Sequence, residues 1–303
     1  MFFNRKSKNN TVCAFSILSE SICFVIVEKN GNTKPRLIHW ESVSCKEADR
    51  LTVLKGLAKH YKLAKKNCAF SLQSQDYRLL VVDAPPVPEN EMVSAIKWDV
   101  QDIIENPVEE TTFDIFPVPE DSGHSKSLNV VAAKRASIVE TVELLKQAKI
   151  NISVIDIEEL VLRNLVSNIE DDSKGLIGVF LHDTYGVIVF CKNGELYFSR
   201  CLDMGFNDLD MNQTTLESLA LEIQRSIDYF DRQFSSISMS NVLLMPSFDT
   251  CNHVAKFLNK NLSLSCSVFD LHEGIDWTVD SVNSSQGLIL TLGTALRNTL
   301  AAT

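Results

Sequence analysis

The sequence predicts an α/β chain of two similar lobes, the first enlarged by a small α/β module. Three observations predict it. "CFVIVEKNG", ending at Gly31, and "GVIVFCKNG", ending at Gly194, are nearly the same stretch written twice. Around each lies the same series of strand, polar turn, strand, Asn-Gly turn and strand, so the likeness covers a three-strand meander. Between the copies stands a proline-punctuated segment of a different kind. Coincidence is the alternative to duplication, since hairpins are common. Matching turns and flanking strands argue against it.

The elements follow in order. "TVCAFSI" is β-branched and apolar and reads as a strand, "LSES" as a turn and "ICFVIVE" as a strand. Asn30-Gly31 reads as a two-residue hairpin turn, because both central residues need positive φ, and it leads into "KPRLIHW". Lys46 to about Leu63 reads as a helix and "NCAFSLQ" as a strand. Pro85, Pro86 and Pro88 then open a helix with Met92, Ile96, Val100, Ile103 and Ile104 on one stripe, which Pro107 ends. "TTFDIFPV" and "LNVVAAK" read as strands, and Ser137 with Glu140 has capping-box spacing at a helix start. "NISVIDIEELVLRNLV" gives a strand and a helix. The second copy supplies "LIGVFL", "GVIVFC" and "ELYFSR", with a turn at Asn193-Gly194. Thr214 and Glu217 suggest a second capping box. The helix they open keeps Leu216, Leu219, Ala220, Ile223, Ile227, Phe230 and Phe234 on one face. "NVLLM", a helix over "CNHVAKFLNK", "CSVFDL" and a closing helix over "GLILTLGTALRNTL" complete the chain. The expected organisation is a tail at 1–10, a first lobe at 11–168 with the insertion at about 77–150, and a second lobe at 175–291. Residues 292–303 then form a closing helix returning to the first lobe.

Composition narrows the function. The net charge is −10 and the pI about 5.1, which excludes nonspecific nucleic-acid binding, since that needs a basic surface. The eight cysteines are scattered without a Cys-x-x-Cys, several of them inside apolar strands, and no signal sequence precedes them, so a reduced cytosolic protein is expected. Cys251-Asn252-His253 is a close Cys/His pair that nothing nearby completes to four ligands, so no metal is expected. No apolar run is long enough to span a bilayer. Phe2 and Phe3 beside Arg5, Lys6 and Lys8 have the composition of a weak contact for an anionic membrane, and equally of a plain polar tail.

Read together, "APPVPENEMVSAIKWDVQDIIENPVEE", "VVAAKRASIVETVELLKQAKINISVIDIEEL", the "EIQRS" helix and the ending "LGTALR" resemble the PilM-like branch of the actin-like ATPase superfamily. The nearest likeness is to members serving the mannose-sensitive haemagglutinin (MSHA) type IV pilus. The resemblance covers essentially the whole chain and rests on the order and spacing of these stretches. It implies an actin-like (ASKHA) fold, two RNase H-like lobes with a small α/β insertion subdomain in the first. It also implies a cytoplasmic protein, peripheral to the inner membrane of a Gram-negative bacterium, that binds the N-terminal tail of a PilN-like (MshJ-type) membrane protein.

The same fold binds ATP between its lobes. Each of the family's nucleotide positions has a counterpart here. The first phosphate turn usually reads Asp-x-Gly-Ser; here it is Ser16-Ile17-Leu18-Ser19, with no carboxylate and a leucine in place of glycine. The second usually reads Asp-x-Gly; here it is Phe180-Leu181-His182, with Asp183 shifted in register. Met245-Pro246 stands where the adenosine turn has Gly-Gly. Glu222, Arg225 and Ser226 match the helix that lines the nucleoside pocket, although opposite charges at this spacing are also routine on a solvated helix face. The expectation is a pseudo-ATPase without catalytic residues, with Ser16, Ser19, Glu222, Arg225 and Ser226 as the remaining nucleotide-binding candidates. No cofactor is expected, ATP with Mg being the one that the fold would accept.

Work is expected instead at a groove between the first lobe and the insertion, walled by Pro85, Pro86, Met92, Ile96 and Trp98 and able to hold an extended or helical peptide. Trp98 lies off the apolar stripe of its helix and is either an interface anchor or packed under a loop. Two alternatives remain at this stage. One is an ATP-binding PilM-like protein with nucleotide-regulated partner binding. The other is the cytoplasmic part of a GspL-like secretion protein. A sugar or acetate kinase on this fold needs an aspartate that neither motif position supplies.

Overall fold

In β1 (Thr11–Ile17) and β2 (Ser21–Glu28) most side chains are buried, so their sheet is covered on both faces. The computed structural model describes residues 11–29, 33–120, 126–169, 171–209, 212–246, 250–278 and 285–297. Successive strand residues point to opposite faces. Ala14, Val25 and Val27 enter a core shared between the lobes. Phe15 and Phe24 point the other way, their rings 4.7 Å apart, under α1 (Arg50–His60). β3 (Arg36–Ser44) completes an antiparallel meander, and β4 (Cys68–Ser71) runs parallel to β1.

The insertion follows. β5 (Tyr77–Asp83), α2 (Glu89–Val100), β6 (Thr111–Pro117), β7 (Ser127–Lys134) and α3 (Arg135–Gln147) form a three-stranded sheet of order β5-β7-β6. α2 covers one face through Ile96 and Val100. α3 covers the other through Leu145, which also joins the core of the first lobe. β8 (Ile152–Asp156) then runs parallel to β4 and leads into α4 (Glu158–Ile169).

The second lobe repeats this plan. β9 (Leu176–Leu181), β10 (Gly186–Lys192) and β11 (Glu195–Leu202) form the meander. α5 (Gln213–Gln233) leads to β12 (Asn241–Met245), parallel to β9, and α6 (Cys251–Asn261) leads to β13 (Ser265–Val268), parallel to β12. The short α7 (Leu271–Gly274) and β14 (Asp276–Trp277) precede α8 (Gln286–Leu296). The sheet orders are β3-β2-β1-β4-β8, with β14 added beyond β3, and β11-β10-β9-β12-β13. Strand for strand the two orders correspond, so the repeated stretches belong to a duplicated lobe. At the tip of the second meander Asn193 and Gly194 have φ of 52° and 78°, as the hairpin reading requires. Asp172 Oδ2 holds that tip by accepting from Gly194 N at 2.7 Å. The matching Asn30-Gly31 turn, the tail at 1–10 and the residues after Arg297 lie outside the described residues.

The sheets face each other across α4 and α8, and these helices change sides. α4, which follows the first sheet, packs on β9, β10 and β11; α8, which follows the second, packs on β1, β2 and β4. Every residue of α8 from Gly287 to Leu296 is buried, as its apolar composition on all sides requires. Its two hydroxyls bond back into the helix, Thr291 to Gly287 O at 2.6 Å and Thr294 to Leu290 O at 2.7 Å. Gly293 marks the crossing with α4: a Cβ there would lie 2.4 Å from Val161 O, and Asn164 Nδ2 donates to Gly293 O at 3.0 Å.

Some local readings are corrected. α2 ends at Val100, so Ile103 leaves the stripe and is exposed. Neither capping box forms. α3 begins at Arg135 with Ser137 inside its first turn, and the N-cap of α5 is Asn212, whose side chain accepts from Thr215 N at 3.0 Å. β5, α7 and β14 give no strong periodic signal and were not expected.

Candidate functional site

Two turns meet where the lobes face each other. The first, between β1 and β2, is held by its carbonyls: Gln73 Nε2 donates to Ile17 O at 2.5 Å, and Arg50 Nη2 to Leu18 O and Ser19 O at 3.2 and 3.3 Å. Ser16 is buried, its Oγ 2.8 Å from Ser71 Oγ, while Ser19 is exposed. Leu18 packs against the N-terminus of α8, where a Cβ on Gly287 would sit 3.3 Å from Leu18 Cδ1 and 2.4 Å from Cys23 Sγ.

The second turn, between β9 and β10, carries a buried polar network. His182 Nε2 pairs with Glu158 Oε1 at the start of α4, and Tyr185 Oη donates to Glu158 Oε2 at 3.1 Å. The His182 and Tyr185 rings stack with centroids 4.0 Å apart. The next residue, Glu159, accepts from Tyr77 Oη at 2.5 Å, and Glu158 N donates to that same oxygen at 3.0 Å. The network thus joins β5, α4 and the second turn. Burial pushes the Glu159 carboxyl up to about 7, against the lowering effect of the Tyr77 hydrogen bond, with the charges of Glu158 and Asp156 adding to the rise. Asp156 is buried as well, its Oδ1 3.1 Å from Arg297 Nη1. Burial raises its carboxyl, opposed by Arg297 and Arg163. No alternation pattern announces this network; the sole sequence signal is "DIEE", carboxylates beginning a helix that is otherwise apolar on its buried face.

The five nucleotide candidates fall in two groups, one at the first turn and one on α5. Ser16 and Ser19 belong to the first turn. Glu222 of α5 accepts from Arg200 of β11 at 2.6 Å and from Arg225 at 2.7 Å; Ser226 Oγ lies 3.4 Å from Arg200 Nη1 and is fully buried. β11 is three places from β12, which ends at Met245, a separation of roughly 14 Å at about 4.8 Å per strand. Phe180 and Met245 are fully buried in the core between the lobes. A phosphate-bound metal needs free carboxylates and an approachable backbone. Here both Glu158 oxygens face protein donors, Asp156 Oδ1 is held by Arg297 while its Oδ2 is buried without a partner, and Leu18 stands at the first turn against α8. Among the described residues no group of His, Cys, Asp and Glu is placed to hold a metal ion.

A groove lies between the first lobe and the insertion, with a volume of about 220 Å³. Ile17, Phe70 and Leu144 are its apolar side chains, and Glu47, Asp76 and Glu140 set three carboxylates around it. The expected wall residues lie elsewhere on the insertion. Ile96 is fully buried in the insertion core, with Met92 against it. Pro85 is half-buried and Pro86 exposed. Trp98 is 71% exposed, which excludes packing under a loop.

Residues 42–205 match the family described as "Type IV pilus assembly protein PilM". The chain belongs to the PilM family. The solved PilM-PilN type IV pilus biogenesis complex contains a chain similar to this one at 18% identity, with a TM-score of 0.75, over 94% of this chain and 97% of that one. The cytoplasmic domain of EpsL, an inner membrane component of the type II secretion system of Vibrio cholerae, is similar at 12% identity with a TM-score of 0.55, over 94% of both chains. No curated protein matches the sequence significantly. The paired RNase H-like sheets of this PilM-family chain form an actin-like fold. No helix among the described residues is long and apolar enough to cross a membrane.

Proposed function

We propose that this PilM-family chain is a scaffold of an MSHA-type pilus assembly complex, in the manner of MshI. It docks from the cytoplasm onto the N-terminal tail of a PilN-like (MshJ-type) membrane protein and hydrolyses no ATP. The observation that carries this reading is the groove between the first lobe and the insertion. Its lining is mostly polar: Ser19, Gln73, Gln75 and Ser137 offer hydrogen-bonding groups and Glu47, Asp76 and Glu140 charge to a peptide, over a small apolar floor of Ile17, Phe70 and Leu144. In support, the complex to which this fold is similar is one with PilN. Peripheral association with the inner membrane then comes through the partner.

Titrating the N-terminal tail peptide of the PilN-like protein tests the reading. Saturable binding is expected, weakened about tenfold or more by Glu140→Arg at the groove rim. Absence of binding at about 100 μM overturns it. For nucleotide, the expectation is no rise in melting temperature with Mg-ATP. A ligand at 100 times its Kd adds about 2.7 kcal/mol, so a rise of several degrees would overturn the nucleotide part.

A further inference from the structure

One face of the insertion sheet is covered by α2; part of the other is met by the second lobe. On that other face the ladder sets Val81 of β5, Asn129 of β7 and Phe116 of β6 side by side. Ser127, two residues from Asn129, points the same way, and its carbonyl accepts from Val118 N at 3.0 Å. Opposite stand β11 and α5. The ladder of β10 and β11 shifts between Phe190 and Cys191, which makes Tyr197 an extra residue beside Phe198. Both rings turn to α5: Tyr197 lies 5.6 Å from Phe234 at 87°, and Phe198 lies 5.0 Å from Tyr229 at 37°. Between the two surfaces is a cavity of about 140 Å³. These four rings line it with Val81, Val118 and Pro119, and its polar members are Glu120, Ser127 and Gln233.

We propose that this cavity binds one small, uncharged aromatic molecule of the phenol class, its ring against the four aromatic side chains and its hydroxyl oxygen accepting from Asn129. Size argues for a single ring, because an apolar cavity of about 150 Å³ takes up one benzene. Walls made of aromatic rings favour another ring, which they meet edge to face or offset. Glu120 repels an anion, and its own charge is already matched by Lys126 at 3.4 Å, so it does not call for a cation. Asn129 is 4% exposed and its Nδ2 has no hydrogen-bond partner. Two of its neighbours on that face, Val81 across the ladder and Ser127 along the strand, line the cavity. A buried donor left unpaired is costly, and an acceptor on a seated ring would pair it. A cavity of one ring's volume leaves no room for a main chain, so the ligand is a free molecule rather than a partner's side chain. The site is separate from the groove proposed above, and the two stand or fall independently.

The test titrates the full chain with para-fluorophenol, followed by fluorine NMR. Saturable binding is expected, with slowed amide hydrogen exchange in Tyr77–Asp83 and Glu195–Leu202. As competitors, cyclohexanol, which has no aromatic face, and benzoate, which sets a charge near Glu120, are expected to bind about fivefold or more weakly. Val81→Trp fills the cavity from a position that is 60% exposed. It is expected to weaken binding about tenfold or more without lowering the melting temperature. Asn129→Leu is expected to weaken para-fluorophenol about fivefold and to leave fluorobenzene unchanged, a split that a merely structural role would not produce. No saturable binding by about 10 mM, equal affinity of cyclohexanol, or full affinity in Val81→Trp would overturn the proposal. An unchanged affinity in Asn129→Leu would overturn the place given to the hydroxyl. N-acetyltyrosinamide bound as tightly as para-fluorophenol would overturn the assignment to a free molecule.

Discussion

The two lobes share one strand order and differ where the strands end. In both, side chains at the strand centres are buried from two sides, and the helices that follow the fifth strands, α4 and α8, cross to the opposite sheet. At the meander turns the likeness stops. The first turn is apolar at Leu18 and held by Arg50 and Gln73 through its carbonyls; the second carries His182, buried against Glu158. Between the fourth and fifth strands, the first lobe holds the whole insertion and the second only α6. A side chain enclosed on all sides has few substitutes, whereas a turn is limited mainly by its own hydrogen bonds, so duplicated halves diverge first at their turns and connections.

The largest expected effect breaks the crossing itself. Gly293→Val drives a side chain into Val161 O, and an unfolding titration should show a loss of about 3 kcal/mol or more. A near-neutral result would mean that the crossing of α4 and α8 does not hold the lobes together. Next comes the turn difference. His182→Ala leaves Glu158 Oε1 buried without its partner, with Tyr185 still on Oε2, and is expected to cost about 2–3 kcal/mol, whereas Leu18→Ala at the corresponding turn, a half-buried position, should cost about 1 kcal/mol. Equal losses would erase the contrast between the turns.

Much of the fold was legible because strand burial writes itself as runs of β-branched and aromatic residues, and α5 as a stripe from Leu216 to Phe230. Element ends were less so. The spacing Ser137–Glu140 is a capping box only if the backbone leaves the helix at Ser137, and β7 runs straight into α3 before it. The site was the least legible part. Glu222 is a pocket candidate only by the family resemblance, and its ion pair with Arg200, more than twenty positions away, is not written in the local sequence. Tyr77, Glu159 and His182 lie in three separate stretches, and only the packing of α4 against the other lobe brings them together.

The third prediction uses that network. The folded Glu159 carboxyl, at about 7, lies above its ordinary 4.5, so between these values the native state keeps a proton that the unfolded chain has released. Stability is therefore fullest below about pH 4.5 in this respect and falls as pH rises through about 7. The neighbouring charges of Glu158 and Asp156 act in the same direction, while the Tyr77 hydroxyl opposes it. Glu159→Gln keeps an acceptor for Tyr77 and removes the titration. It should flatten this part of the stability profile and raise stability at pH 8 by on the order of 2 kcal/mol. An unchanged slope would place Glu159 in contact with solvent.

The smallest effect concerns a glycine of the opposite kind to Gly293. Gly56 lies on the exposed side of α1, the outer helix of the first lobe, and a Cβ there would meet nothing within 4 Å. In a helix, glycine loses more backbone freedom on folding than alanine, and here no close approach requires it. Gly56→Ala should therefore stabilise the chain by about 0.5–1 kcal/mol, a rise of a few degrees or less in melting temperature for a protein of this size. The two glycine variants together separate helix propensity from lobe packing: the same residue type, in two helices of one chain, gains stability on the outer face and loses it at the crossing. If Gly56→Ala destabilised instead, α1 would have to meet a neighbour at that face, and the outer surface of the first lobe would count as packed rather than open.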